Sequence, residues 1–431
     1  MAYTEIPQSV QAFMDKMTHL CEDTHPRWAE NFKAGFANTL LTTVRRYEDG
    51  TTFLLTGDIP AMWLRDSTAQ FRPYLVIAKE DKDIRDMIAG LVKRQFKYIN
   101  MDPYANAFNE EANGKGHQTD DTEMTDWIWE RKYEIDSLCY PVQLSYLLYK
   151  QTGETSQFND DFHDGVKKIL NVWKTEQNHE NSPYHFERDT WRKEDTLTHE
   201  GKGTPVAPTG MTWSGFRPSD DACIYGYLIP SNMFAVVVLG YLEEIYSTLF
   251  NEPTIVSAAS ELKKDIHEGI QQHAVVKNKA GKAIYAYEVD GLGGYSIMDD
   301  SNVPSLMAAP YLGYCEKNDP TYLATRDTLL SKENPYFYEG TCAKGIGSSH
   351  TPENYVWPIA LAIEGLTTDS KEEKERILNL LVDNDGGTNL MHEGFDVNDP
   401  NQYTREWFSW ANMMFCELVM DYYDIRIDAN Y

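Results

Sequence analysis

Apolar residues recur at three- and four-residue spacing through most of the chain, and each such run is followed by a short segment rich in Gly, Pro, Asn or Asp. That period predicts helices over Val10–Leu20, Trp28–Thr43, Thr68–Ala78, Ile84–Ile99, Ile135–Tyr149, Phe158–Glu176, Ser219–Tyr227, Ser231–Phe250, Ile255–His273, Ser305–Leu312, Thr321–Leu330, Val356–Leu366, Lys371–Asp383 and Glu406–Tyr422. Alternation of period two is confined to Thr51–Leu55 and Ala283–Val289, the latter ending in a Gly-rich turn. The chain therefore reads as all-α with short β excursions in its loops.

The helical segments are of two kinds. Asp81–Arg94 and Lys371–Leu381 carry strongly charged faces, whereas Met233–Tyr241 and Trp357–Ile363 are apolar almost all round. Charged and apolar helices in rough alternation predict an outer and an inner ring, a double-layered helical toroid or (α/α)6 barrel, although no exact internal repeat marks it. In such a barrel the ends of the inner helices open into a pocket. Four long loops are placed to surround it: Thr56–Ser67, Asn106–Tyr133, His185–Asp221 and Leu330–Tyr355. No stretch of linker composition interrupts the chain, so residues 1–431 are expected to form a single catalytic domain.

Composition narrows the partners. A formal net charge of −28 repels phosphate backbones, which argues against nucleic acid. No apolar run approaches the roughly 18 residues of a membrane helix, and Met233–Leu242 has the length of a core segment. The N-terminus MAYTEIPQSV lacks the basic and apolar regions of a secretory leader, so the chain as given is expected to be cytoplasmic. Cysteines at 21, 139, 223, 315, 342 and 416 are scattered without a Cys-x-x-Cys pair, which predicts free buried thiols rather than zinc ligands. The 27 Tyr and 10 Trp suit a carbohydrate pocket, since each ring joins an apolar face to a polar tip.

The most unusual residue choices fall in Gly57–Tyr74, GDIPAMWLRDSTAQFRPY. Trp63, Arg65 and Asp66 crowd before Ser67, which is expected to cap the following helix. A Trp plane can pack on a sugar ring while the Arg fork and a carboxylate bind neighbouring hydroxyls. The same residues would also suit a structural ion pair beneath a buried Trp.

Two acidic groups stand out elsewhere. In Arg217-Pro218-Ser219-Asp220-Asp221 the Pro and Ser suit a helix start, and neighbouring helical residues diverge by about 100°. Only one of Asp220 and Asp221 could then face a pocket while the other caps the helix, and both also fit as first-turn acids favoured by the helix dipole. Glu393, in the Gly-rich stretch from Asn384 to Asp396, sits among apolar neighbours where a carboxyl can have its pKa moved and serve as acid or base. Its neighbour His392 reads as a satisfied core histidine. Two carboxyls distant in sequence and close in space would suit glycoside hydrolysis.

Met298-Asp299-Asp300-Ser301-Asn302-Val303-Pro304 is expected to open a helix at Pro304, with Asp300 and Asn302 lining a pocket or capping; it lacks calcium-loop spacing. Ser348-Ser349-His350 offers hydroxyls and an imidazole but no nucleophile elbow. Gly291-Leu292-Gly293-Gly294 opens no helix, so it is no phosphate loop.

With these residues in hand, the chain resembles glycoside hydrolase family 125, exo-acting α-1,6-mannosidases of (α/α)6 fold, over nearly its whole length. The stretches that carry the likeness are TGDIPAMWLRDSTAQ from Thr56, RPSDDA from Arg217, MDDSNVPSL from Met298 and MHEGF from Met391. The resemblance implies an inverting, metal-independent mechanism without cofactor, with Asp220 as general acid and Glu393 as general base. It implies that Arg65 and Asp66 hold the terminal mannose, and that Trp63, Asp136, Arg217, Asn302 and His350 complete the substrate pocket. A mannose-containing oligosaccharide is the expected partner and a monomer the expected state. The alternatives are another (α/α)6 glycosidase or sugar isomerase, and a glycan-binding protein without turnover.

Overall fold

The computed structural model describes residues 3–427. Met1, Ala2 and residues 428–431, which belong to the expected single domain, lie outside the described residues. The helices are α1 (Gln8–Cys21), α2 (Pro26–Thr43), α3 (Leu64–Phe71), α4 (Leu75–Ala78), α5 (Lys82–Met101), α6 (Ile135–Thr152), α7 (Asp160–Glu176), α8 (Ile229–Ile245), α9 (Pro253–His273), α10 (Ala309–Leu312), α11 (Pro320–Leu329), α12 (Pro358–Leu366), α13 (Lys371–Asp383) and α14 (Ser409–Tyr422). Their starts follow local chemistry: Asp81, Asn159, Asp319 and Ser370 each accept a first-turn amide at the N-termini of α5, α7, α11 and α13.

Helix α14 packs on α3, α3 on α6, α6 on α8, α8 on α10, and α12 on α14. Outside this series α2 lies on α14, α5 on α6, α9 on α8, and α13 on α12 and α14. The apolar faces meet in one contiguous core that includes the buried Trp28, Trp173, Trp213, Trp357 and Trp410. Helix α8 with the turn Tyr246–Phe250 is long and apolar enough to cross a membrane by length and composition, yet its apolar residues face α6, α9 and α10.

Short strands decorate the helix ends: β1 (Val44–Arg46), β2 (Thr52–Leu54), β3 (Met62–Trp63), β4 (Ala107–Phe108), β5 (Ile128–Glu130), β6 (Tyr227–Leu228), β7 (Val275–Lys277), β8 (Ala283–Tyr285), β9 (Glu288–Val289), β10 (Tyr295–Ser296), β11 (Phe337–Glu339), β12 (Lys344–Ile346), β13 (Tyr355–Val356), β14 (Gly394–Asp396) and β15 (Tyr403–Thr404). They pair antiparallel as β1–β2, β3–β4–β5, β6–β9–β10, β7–β8, β11–β12 and β13–β14–β15.

Four expectations need correction. The predicted helix Ser219–Tyr227 does not form: Arg217 N–H donates to Asp221 O at 2.8 Å, Asp220 N–H donates to Arg217 O at 2.9 Å, and Phe216 bridges Ala222, which closes a tight turn instead. The predicted helix Ser305–Leu312 shrinks to α10, because the Asp299 carboxylate takes the amides of Leu306 and Met307 at 2.9 and 3.0 Å. Helix α3 starts at Leu64, directly from strand β3, so Ser67 is not the cap and instead bonds Leu64 O from within the first turns. Ala283–Val289 divides between β8 and β9, which belong to different sheets. All six cysteines are free; Cys21, Cys139, Cys223 and Cys416 are buried as expected, whereas Cys342 is exposed.

Candidate active site

The helices bring their N-terminal ends to one pocket. Arg65 and Asp66 lie in the first turn of α3, Asp136 in that of α6, Trp357 immediately precedes α12, and Phe408 and Trp410 flank the start of α14. The positive end of each helix dipole thus points the same way, which favours anionic side chains here. Gly57 makes the convergence possible: with φ +140°, it approaches so closely that a Cβ would stand 2.5 Å from the Trp407 carbonyl oxygen.

Trp63, Arg65, Asp66, Asp220, Asn302, His350 and Glu393, all selected from sequence, line this pocket together. Glu393 immediately precedes β14, the central strand of the β13–β14–β15 sheet, and its N–H donates to Thr404 O at 3.2 Å. Asp220 enters the pocket from the apex of the tight turn, and its φ of +67° is unusual for a residue with a side chain. Asn302 braces that turn, its Nδ2 donating to Pro218 O at 2.9 Å. Arg217 and Asp136 are not in the lining. Arg217 is buried behind the turn, with its Nε donating to Glu288 at 2.6 Å, and Asp136 lies behind Arg65.

Arg65 is the centre of the acid wall. Its guanidinium meets Asp66 at 3.3 Å, Glu134, Asp136 at 3.5 Å and Asp220 at 3.2 Å. Asn106 Nδ2 lies 3.4 Å from Glu134 and 3.5 Å from Asp220, and Lys132 donates to the Asp220 carbonyl at 2.7 Å. Burial works against an ionised Asp220, but Arg65, then Lys132 and a hydrogen bond from Glu134 outweigh it and hold this carboxyl below the usual range. Glu134 shifts well upward, by burial first and despite Arg65. Burial likewise pushes Asp136 up to about 6 and raises Asp66.

Asp221 resolves the ambiguity with its neighbour. It is buried under the turn, where it accepts from Ser349 Oγ at 2.6 Å, meets His350 Nδ1 at 3.0 Å and pairs with Arg192 at 3.2 Å. The two acids do diverge, as expected, but through turn geometry rather than a helix. Burial lowers the His350 pKa, and the bond and charge of Asp221 overcome this and raise it to about 9. His350 lines the pocket with its Nδ1 turned to Asp221.

Several groups escape sequence reading. Arg405, Trp357, Phe408 and Trp410 line the pocket, and Glu134, Lys132 and Asn106 stand behind it. Arg405 lies 3.9 Å from Glu393 and forks onto Asp58. The indole nitrogens of Trp63 and Trp410, Asp66 Oδ1 and Asn302 Oδ1 are buried without a protein hydrogen-bond partner, so polar groups with unused capacity converge beside aromatic planes. That is the chemistry of a sugar-binding pocket.

Other candidates prove structural. His392 is buried, stacks on Tyr403 with centroids 3.7 Å apart and bonds the carbonyls of Asp385, Arg405 and Glu406, as a core histidine does. Asp300 accepts from Ser219 at 2.5 Å, and Asp299 holds the backbone before α10. Among the described residues, no group of three or more His, Cys, Asp or Glu is arranged to hold a metal ion.

A family model described as "Metal-independent alpha-mannosidase (GH125)" matches residues 25–420. A Streptococcus pneumoniae metal-independent α-mannosidase, solved in a non-productive complex with α-1,6-mannobiose, superposes with a TM-score of 0.97 at 59% identity, covering 99% of this chain and 100% of that one. The meiotically up-regulated gene 157 protein of Schizosaccharomyces pombe is 36% identical over 96% of this chain and 85% of its own length. A bacterial glucoamylase solved with acarbose is 11% identical, with a TM-score of 0.61 over 97% of this chain and 59% of that one, and shares the fold alone. With the matched model spanning most of its length, the chain belongs to glycoside hydrolase family 125, the metal-independent α-mannosidases.

Proposed function

We propose that this enzyme removes non-reducing terminal mannose from α-1,6-linked oligosaccharides, including N-glycan fragments, with inversion at the anomeric carbon. The observation that carries the reading is the pairing of Asp220 and Glu393 across a pocket whose remaining wall is aromatic and hydroxyl-binding. The pneumococcal relative's complex with α-1,6-mannobiose supports the linkage. Helices α3, α6, α8, α10, α12 and α14 serve as the inner ring of an (α/α)6 barrel, and the chain works as a single catalytic domain and a monomer.

In this mechanism Asp220 protonates the departing glycosidic oxygen while the Glu393 carboxylate takes a proton from a water attacking the opposite face of the anomeric carbon. Arg65 and Asp66 grip adjacent hydroxyls of the terminal sugar, and Trp63, His350, Asn302 and Arg405 fix the ring. Arg217 and Asp136 act from behind, one holding the acid's turn and the other holding Arg65. Incubation with α-1,6-mannobiose tests the reading: free mannose is expected. Binding of mannobiose without turnover would instead mark a glycan-binding protein, and release of a different sugar from a different substrate another glycosidase.

A further inference from the structure

The acid wall contains more carboxyls than its cations can hold ionised. Glu134, Asp136 and Asp66 are buried around one Arg65, Asp220 completes the ring at the pocket surface, and Lys132 is the second cation, itself engaged by Asp195 and Glu130. Separated from water, like charges at this spacing cannot all ionise, so the cluster retains a proton. Its geometry says where. Glu134 and Asp220 share the same donors: the Arg65 guanidinium bonds Glu134 through one nitrogen and Asp220 through the other at 3.2 Å, and Asn106 Nδ2 lies 3.4 Å from Glu134 and 3.5 Å from Asp220. Glu134, further held by Ser137 Oγ at 2.7 Å, is wholly buried whereas Asp220 opens to the pocket, so burial favours the proton on Glu134.

We propose that Glu134 is a positioning residue that loads the general acid: the Glu134–Asp220 pair holds one catalytic proton, stored on Glu134 at rest and moved to Asp220 for departure of the leaving group. This inference rests on the reading of Asp220 as the acid, and it accounts for a difficulty in that reading. Asp220 faces Arg65, Lys132 and His350, so alone it would be ionised at neutral pH and unable to donate. On Glu134 the proton is held against the same cations by burial among Arg65, Asp136 and Asp220, with Glu130 sharing Asn106 and Asp66 sharing Arg65.

The proton balance is simple. The Glu134 O–H bond breaks as its proton passes to the neighbouring Asp220 carboxylate, leaving Glu134 ionised beside Arg65. Asp220 then gives that proton to the glycosidic oxygen as the C–O bond breaks and its electron pair goes to oxygen. Glu393 receives a proton from the attacking water. After product release Glu393 returns its proton to solvent, and the Glu134–Asp220 pair takes one back. Loss of the pair's proton is a macroscopic step shared by both residues, so the basic limb of the pH–rate profile reports the pair and not Asp220 alone.

The test is the kcat/KM profile on α-1,6-mannobiose, compared with an α-mannoside of a dinitrophenol, which leaves without protonation. In the wild type the basic limb on mannobiose should lie near or above neutrality and should be absent on the aryl substrate. Glu134→Gln keeps the shape and a hydrogen-bond donor but stores no proton. It should shift the basic limb to lower pH by at least one unit, cost roughly tenfold or more on mannobiose at pH 7, and spare the aryl mannoside, while Glu134→Asp restores the limb. An unmoved limb, or an equal loss on both substrates at every pH in a folded Glu134→Gln protein, overturns the proposal. If that variant does not fold, the wild-type profile decides alone, since a basic limb in the range of an ordinary carboxyl beside Arg65 would overturn it. A wild type inactive on both substrates would count against the function itself rather than against this inference.

Discussion

The two walls of the pocket use carboxyls in opposite ways. On the acid wall, Asp220 belongs to a crowd of four carboxyls around the buried Arg65. On the base wall, Glu393 shares the pocket with His350 and lies 3.9 Å from Arg405, whose fork is mainly occupied by the exposed Asp58. A general acid must keep a proton that its surroundings would strip away, and crowding carboxyls in a buried space makes one of them hold it. A general base needs only to remain ionised and free to touch water, and one weakly engaged carboxylate lining the pocket meets that need.

If the walls differ in this way, removing the two acids should have different signatures. Glu393→Ala should lose about 10²–10⁴-fold in kcat on both mannobiose and a dinitrophenyl mannoside, with azide restoring turnover. Asp220→Ala should fall by a similar factor on mannobiose but recover much of its rate on the aryl substrate. Matching losses on the two substrates for both variants would erase the comparison. Asp66→Ala should cost about 10²-fold in kcat/KM by leaving sugar hydroxyls and Arg65 without their partner, measured with the protein's thermal midpoint unchanged as a control.

The cations sharpen the contrast through stability. Arg65→Met strands several buried carboxyls and should lower unfolding free energy by about 3–5 kcal/mol in denaturant titration. Arg405→Met breaks a pair with exposed Asp58 and should cost under about 1 kcal/mol. Equal costs would mean that the acid wall is no more interdependent than the base wall. A pH-dependent effect marks Asp221→Asn. His350 has a folded pKa raised to about 9, above the 6.5 of a free histidine, so its pairing with Asp221 stabilises fully below pH 6.5 and fades as pH rises through 9. The stability gap between wild type and Asp221→Asn should therefore be widest near pH 6 and narrow by pH 10.

Much of this was readable in the chain. Long helices announce themselves by period, and α5, α6, α7, α9 and α13 fall within a few residues of expectation. Trp63, Arg65 and Asp66 stand out as polar and aromatic residues crowded beside Gly and Pro, a pattern that suits a structural ion pair as well as a pocket, and the role of Asp220 as acid follows from the family resemblance rather than from its local sequence. The turn at Asp220 misled because Pro218-Ser219 imitates a helix start, while the pairing of Phe216 with Ala222 that overrides it is set by the fold. Glu134 and Asp136 were hard to weigh because Tyr133-Glu134-Ile135-Asp136 reads as the approach to an ordinary helix; nothing local says that both acids are buried. Arg405 was hidden one residue before a predicted helix that begins only at Ser409, on backbone with φ +50°. In each case the missing information is which distant segments meet, above all the convergence of α3, α6 and the 217–221 turn on Arg65.

The most direct test of the account is the anomeric configuration of mannose at the moment of release, followed by proton NMR during hydrolysis of α-1,6-mannobiose. Asp220 as general acid and Glu393 as a base acting through water predict β-mannose first, with the α-anomer growing only by mutarotation. The appearance of α-mannose as the first product would contradict the assignment of Glu393 as a base acting through water.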